Sequence, residues 1–281
     1  MDFLFCRAYL ASMDKLKDKE RRLDDLLSGY GSLLVAFSGG VDSTFLLARA
    51  LRIPGLRVEA GIVASPVYTK EETDSALAFC DQRNIPHHTV TENDIGHIES
   101  NPEDRCYHCK TRLFGEMIDL AKSLGLKVCA DGTNAEDLSD YRPGLKAVGE
   151  LGIRSPLAEA GLTKNDIRLL SRRMRLPTWN KPSMACLSSR FPFGTAITPD
   201  RLKTVAESER LLWSLGFSQV RVRWFDDTAV VEVPLKEAGR VFKPRLREKI
   251  VEGLKRAGFR KVRIDLEGYR TGSLNPVAKK V

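Results

Sequence analysis

The chain of 281 residues has only six cysteines, and aromatic side chains make up 7% of it. Six cysteines are too few for a disulfide scaffold at this length. No uncharged apolar run approaches the roughly 18–20 residues that span a bilayer. The start, MDFLFCRAYLASMDKLKDKERR, puts its apolar residues ahead of its positive cluster, the reverse of a secretory signal. There is no internal repeat, no low-complexity segment and no second C-x-x-C to complete a four-cysteine zinc site. These absences lead us to expect a soluble, cytoplasmic protein without a membrane partner. What is present, 42% hydrophobic and 29% charged residues, suffices for a globular core and excludes a disordered chain.

The net charge of +8 is unevenly placed: residues 195–281 hold 19 Lys and Arg against 11 Asp and Glu, while the first 194 hold 26 of each. The excess in the last third fits either an anionic partner or a solvated basic face.

Short apolar runs alternate with amphipathic stretches through the first half. Leu33–Phe37, Val58–Ala64, His88–Val90 and Lys127–Ala130 read as strands; residues from about Ala11 to Leu27, then 44–51, 71–83 and 105–124, read as helices. That alternation predicts right-handed βαβ units and a parallel sheet with helices on both faces. From Tyr141 to Arg190 it stops, with one helix expected between Asn165 and Arg175. Pro192 and Gly194 mark a boundary, giving domains 1–194 and 195–281. The second reads as αββαβ, a small α+β domain with a hairpin at Asp226-Asp227.

The most informative segment is Ser38-Gly39-Gly40-Val41-Asp42-Ser43, between a strand and a helix. Adjacent glycines let an anion approach the backbone N–H groups, and a helix N-terminus adds unpaired donors and partial positive charge. Ser38 and Ser43 add hydroxyls, and Asp42 suits a cation such as Mg²⁺ that bridges phosphates. The loop has neither the Lys of G-x-x-x-x-G-K-[ST] nor the spacing of G-x-G-x-x-G.

SGGVDST resembles the pyrophosphate loop of the PP-loop ATP pyrophosphatases, whose members cleave ATP to AMP and pyrophosphate and activate a substrate oxygen as an adenylate. Asp131-Gly132-Thr133-Asn134 looks like their second nucleotide segment. The resemblance implies ATP and Mg²⁺ as cofactors, ATP contacts from Ser38, Gly39, Gly40, Asp42, Ser43, Gly132 and Thr133, and a catalytic role for Asp42.

Cys106 and Cys109 lie in RCYHCK at the start of an expected helix, where Arg105, Lys110 and the helix N-terminus favour thiolates. One C-x-x-C fits a redox pair, half a zinc site or chance. His108 points off their face, and Cys80 and Cys129 sit in apolar stretches as inert thiols. Cys186 follows in PSMACLSSRFPFG, with Ser188, Ser189 and Arg190 as anion donors or the cysteine as a packed core residue.

Together SGGVDST, NPEDRCYHCK, DGTNAEDLSDYRPG, PSMACLSSRFPFGTAIT and LEGYRTGSLN resemble the LarE family of ATP-dependent sulfur transferases, which act in nickel-pincer nucleotide assembly. The five segments span residues 38–275. The resemblance implies adenylation of a carboxylate of pyridinium-3,5-biscarboxylic acid mononucleotide and its conversion to a thiocarboxylate. Some members give up the sulfur of a cysteine at the Cys186 position, which becomes dehydroalanine. This chain, with Cys106 and Cys109 as well, is similar to the three-cysteine branch, which implies a [4Fe-4S] cluster on Cys106, Cys109 and Cys186 and sulfur delivered from it. It also implies a homo-oligomer, and a phosphate site from Ser189, Arg190, Arg221, Arg223, Glu232 and Arg270. Arg221 and Arg223 share one strand face, where two guanidinium forks suit a phosphate, with surface cross-strand charge pairing as the alternative. Trp213, Trp224 and Phe217 read as core. A PP-loop tRNA thiolase is the competing enzyme, although no basic, aromatic-interleaved RNA tract is present. A non-catalytic nucleotide or cluster sensor is the third possibility, and nucleic acid is the partner least expected.

Overall fold

The computed structural model describes residues 3–139, 143–182, 184–270 and 274, with the side chains of residues 3–12 left out. Ser183, the side chain of Cys6 and most of the TGSLN end of the last motif therefore lie outside the described residues. The chain divides into two compact units.

Unit 1 comprises Met1–Ala64, Lys70–Glu92 and Cys106–Ser183. Its elements are α1 (Phe3–Ser28), β1 (Ser32–Ala36), α2 (Val41–Ala50), β2 (Arg57–Ala64), α3 (Lys70–Asp81), β3 (His87–Thr91), α4 (Arg105–Ser123), β4 (Val128–Ala130), α5 (Pro143–Glu150), α6 (Pro156–Glu159) and α7 (Lys164–Arg173). The strands form a parallel sheet in the order β3-β2-β1-β4. Its side chains alternate between two covered faces. Leu33, Val35, Ala60 and Ile62 pack with Leu23, Leu27, Phe45, Phe79 and Leu170. Leu34 and Cys129 pack with Phe114, Met117 and Val148. Burial on both faces is why β1 and β2 read as continuous apolar runs rather than an alternation, whereas the edge strand β3 is only partly buried.

The chain runs from β1 outward to β2 and β3, then crosses back to place β4 on the other side of β1. That reversal makes the carboxyl ends of β1 and β4 a topological switch point, where ligands bind in open parallel sheets. SGGVDS and DGTN are the loops that leave those two strand ends.

The expectation of a single helix between residues 141 and 190 is corrected: α5 and the one-turn α6 precede α7. Pro143 and Pro156 each sit in a first helical turn, where the missing N–H costs nothing. Val148 and Leu157 bury the short helices against the core.

Unit 2 comprises Ser65–Thr69, Asn93–Arg105 and Met184–Val281. It contains α8 (Pro199–Ser214), β5 (Arg221–Phe225), β6 (Thr228–Glu232), α9 (Leu235–Ala238), α10 (Pro244–Ala257) and β7 (Lys261–Ile264). β5 and β6 form an antiparallel hairpin, and β7 joins β6 in parallel. Asp226 and Asp227 both take positive φ, 43° and 61°, the handedness that a two-residue hairpin turn requires. Trp224 lies 5.9 Å from Phe191 and 4.9 Å from Phe259, and Phe217 is buried, so these rings are core. The division falls between Ser183 and Met184, ahead of the boundary expected at Gly194, because the Cys186 loop is hydrogen-bonded to α8 and β5.

Candidate active site

The SGGVDS loop begins where β1 ends. Gly39 has φ +65°, which strains any other residue, and a Cβ there would stand a tight 3.3 Å from the Cβ of Ala76. Gly40 is the N-cap of α2, and its carbonyl accepts from Thr44 N at 3.0 Å. The hydroxyls of Ser38 and Ser43 meet at 3.1 Å, and Gly40 N donates to Ser38 Oγ at 3.4 Å. Lys181 Nζ donates to the Gly39 carbonyl at 3.0 Å. A cleft of about 400 Å³ opens beside Gly39, walled in part by Thr44, Phe79, Arg83, Thr178 and Lys181.

Gly132 explains how the SGGVDS and DGTN loops meet. A Cβ on it would come within 2.9 Å of Ser43 N and 3.2 Å of Ser43 Cα, so the DGTN loop lies directly against the start of α2. Asp131, buried, holds that loop in shape: it accepts from Thr133 Oγ1 at 2.6 Å, Thr133 N at 3.1 Å and Ser155 Oγ at 2.7 Å.

Asp42 occupies the first turn of α2. One carboxylate oxygen accepts from Lys164 Nζ, and the other, Oδ1, is buried with no hydrogen-bond partner among the described residues. Burial pushes its carboxyl above the ordinary range, with Lys164 pulling the other way. An orphaned carboxylate oxygen beside a phosphate-type loop fits a Mg²⁺ ligand. Lys164 went unrecognised in the sequence. Its signal was the T-K-N-D capping box: Thr163 Oγ1 accepts from Asp166 N at 3.2 Å, and Asp166 accepts from Thr163 N at 3.1 Å. That box starts α7 and sets Lys164 in its first turn.

The cysteines sort by burial. Burial pushes the thiols of Cys80 and Cys129 up to about 11 and about 12, with Asp81 and Asp131 adding to it, which makes both inert near neutrality. Cys106 is exposed and Cys109 half-buried, one turn apart at the start of α4 in unit 1. Arg105, expected beside them as a charge, donates to Asn101 Oδ1 and lies over the Phe193 ring, and Lys110 Nζ lies 5.7 Å from the Phe114 ring. Cys186, half-buried, precedes a 3₁₀ turn in unit 2. Among the described residues, no three His, Cys, Asp or Glu side chains stand together as a metal-binding group.

In unit 2 the structure gathers Ser189, Arg190, Arg221, Arg223 and Glu232. Arg223 grips Glu232 with two bonds of 2.9 and 2.8 Å and reaches the Ser189 carbonyl at 2.9 Å. Arg190 grips Glu209 with bonds of 2.9 and 2.8 Å. Glu209, fully buried on α8, is a second residue that the sequence reading missed; nothing in the spacing of α8 links it to position 190. Arg221, also buried, lies 5.3 Å from the Tyr269 ring; burial and then the neighbouring Arg190 lower its affinity for its proton. Arg270 pairs with Glu267 on an exposed turn. Arg190, Arg221 and Arg223 thus share this buried cluster with the carboxylates of Glu209 and Glu232, and Arg221 Nη1 donates to the Val220 carbonyl at 2.7 Å.

No protein-family profile matches the chain. An uncharacterized protein of Synechocystis is 40% identical over 266 residues, covering 93% of this chain and 99% of its own length. The pyridinium-3,5-bisthiocarboxylic acid mononucleotide synthase of Lactiplantibacillus plantarum is 38% identical over 273 residues, covering 95% of this chain and 98% of its own length. An uncharacterized protein of Methanocaldococcus jannaschii is 30% identical over 239 residues, covering 85% and 91%. A switch-point pyrophosphate loop and near-complete alignment with a synthase place this chain in the LarE family of PP-loop enzymes.

Proposed function

We propose that this enzyme is an ATP-dependent sulfur transferase. It adenylates a carboxylate of pyridinium-3,5-biscarboxylic acid mononucleotide and replaces AMP with sulfur to leave a thiocarboxylate. The observation that carries the reading is the contact of the SGGVDS and DGTN loops at Gly132, beside the orphaned oxygen of Asp42. Ser38, Gly39, Gly40, Ser43, Gly132 and Thr133 bind the ATP phosphates, and Asp42 would hold Mg²⁺. A substrate carboxylate oxygen attacks the α-phosphorus and pyrophosphate leaves. A sulfur nucleophile then attacks the acyl carbon and AMP leaves.

In unit 2, Arg221 is the group we assign to the substrate phosphate: it is buried beside Arg190, and a guanidinium fork matches phosphate oxygens. Two of the cations of the basic third, Arg221 and Arg223, are buried in this cluster, which favours a small phosphate over a nucleic-acid face and counts against the tRNA thiolase. The chain would work as a cytoplasmic homo-oligomer.

The sulfur route distinguishes two versions. Cys106, Cys109 and Cys186 supply three thiolates, the donor set of a [4Fe-4S] cluster with one iron left open, and such a cluster when bound supplies a sulfide at that iron. Alternatively Cys186 gives up its own sulfur and becomes dehydroalanine. Anaerobic protein should release pyrophosphate only with ATP and the mononucleotide together, and should carry about four irons per chain that are lost in Cys106→Ala. Absence of pyrophosphate release would overturn the transferase. Iron-free protein that loses one hydrogen sulfide from Cys186 in a single turnover would leave the sacrificial version.

A further inference from the structure

Four buried side chains hold the Cys186 loop, and the pattern of their bonds has a direction. Arg190 Nη1 donates to the carbonyl oxygens of Ala185 at 2.5 Å and Cys186 at 2.8 Å, and to Ser189 Oγ at 3.0 Å. The Cys186 carbonyl also accepts from Ser189 N at 3.0 Å and Ser189 Oγ at 2.8 Å. The rest of the Arg190 fork is spent on Glu209, whose Oε1 additionally accepts from Val222 N on β5 at 3.0 Å. Arg223, the next residue on β5, holds the far end of the loop through Ser189 O, with its own fork fixed by Glu232.

We propose that Glu209, acting through Arg190, is a positioning residue that fixes the backbone on both sides of Cys186 and so sets where its sulfur is presented. A buried ion pair is weak evidence for stability, since an apolar pair of similar volume often does as well. An apolar pair would leave the Ala185 and Cys186 carbonyls without this donor. The pair therefore serves the loop rather than the core. Arg190 is in this role a clamp on the cysteine loop. Group transfer needs the reacting atom placed to within about 1 Å, so a loose loop would lose rate without losing substrate.

The inference rests on the reading of Cys186 as the sulfur-bearing or cluster-bearing residue, and its test reads the loop directly. In iron-free Glu209→Gln, compared with iron-free wild type, alkylation of Cys186 by iodoacetamide, followed by peptide mass spectrometry, should be at least about fivefold faster, with Cys109 unchanged as internal reference. Leu254→Ala, a core truncation on α10, should destabilise the protein comparably and leave Cys186 within about twofold of wild type. Equal rates in wild type and Glu209→Gln, or equal acceleration in both variants, would overturn the clamp. Hydrogen exchange of the wild type covers the case in which Glu209→Gln does not fold. The amides of Ser189 and Val222 should open together, and a Ser189 amide exchanging about a hundredfold faster than that of Val222 would overturn it. Faster alkylation with unchanged sulfur transfer would leave the clamp standing and remove Cys186 from the reaction.

Discussion

Lys164 Nζ donates to Oδ2 of Asp42, joining the first turns of α7 and α2 across 122 positions of sequence. Burial raises the Asp42 carboxyl and Lys164 lowers it. In Lys164→Met the restraint is gone and the carboxyl climbs further. The Mg²⁺ role we propose for Asp42 requires its ionised form, so the acidic limb of pyrophosphate release should move to higher pH. The stability sign is the opposite of that for a salt-bridged acid. A raised carboxyl favours folding at low pH and loses that contribution as pH rises through its folded value. Thermal melts of the variant should therefore fall more steeply than wild type between about pH 4 and pH 7.

The Gly132 contact predicts that Gly132→Ala is damaging. Its Cβ would meet backbone atoms of Ser43, which cannot swing away, so the two loops must separate. The expected loss is about 1–3 kcal/mol of stability, with pyrophosphate release abolished. Gly61→Ala is the control: its Cβ would meet Met117 Sδ at 2.6 Å, the far end of a flexible side chain, and activity should survive.

Thr163 caps the helix that carries Lys164. Thr163→Ala should lower stability by about 1 kcal/mol in urea unfolding. It should also reproduce, more weakly, the pH shift of Lys164→Met, because the first turn of α7 loses its anchor.

Arg221→Ala should raise KM for the mononucleotide about 10- to 100-fold, the scale of a lost charge-assisted phosphate contact. KM for ATP should stay unchanged, since the pyrophosphate loop belongs to the other unit. Steady-state kinetics with each substrate varied in turn would show it. An equal rise for both would remove Arg221 from the phosphate site.

At pH 8, iodoacetamide should label Cys106, Cys109 and Cys186 of iron-free folded protein and leave Cys80 and Cys129 intact. Burial holds the last two thiols at about 11 and about 12. Labelling of Cys129 would show that the face of the sheet covered by α4 opens readily.

Much of this was legible in the sequence for local reasons. A continuous apolar run marks a strand covered on both faces, as in β1 and β2, and each strand of the parallel sheet lies within a few residues of the segment that the sequence marked. Gly39 advertised a backbone that only glycine accepts. The Asp226-Asp227 hairpin was visible because its turn chemistry is local. α5 was not: Pro143 to Glu150 is short, and its helical state depends on burying Val148 against α4 and the sheet, which no window of eight residues can reveal.

The sequence by itself determined the parallel α/β sheet, the phosphate loop with its glycines, the paired Cys106 and Cys109 on one helical turn, and the small basic domain, because each is written in neighbouring residues. Only the tertiary structure decided that Lys164 serves Asp42, that Glu209 serves Arg190, and that Cys186 belongs with unit 2 while Cys106 and Cys109 belong with unit 1. The reason is physical. The chain has 45 basic and 37 acidic side chains, and which pairs form is set by where the core brings the backbone. Burial then selects the few pairs whose charges cannot be left alone.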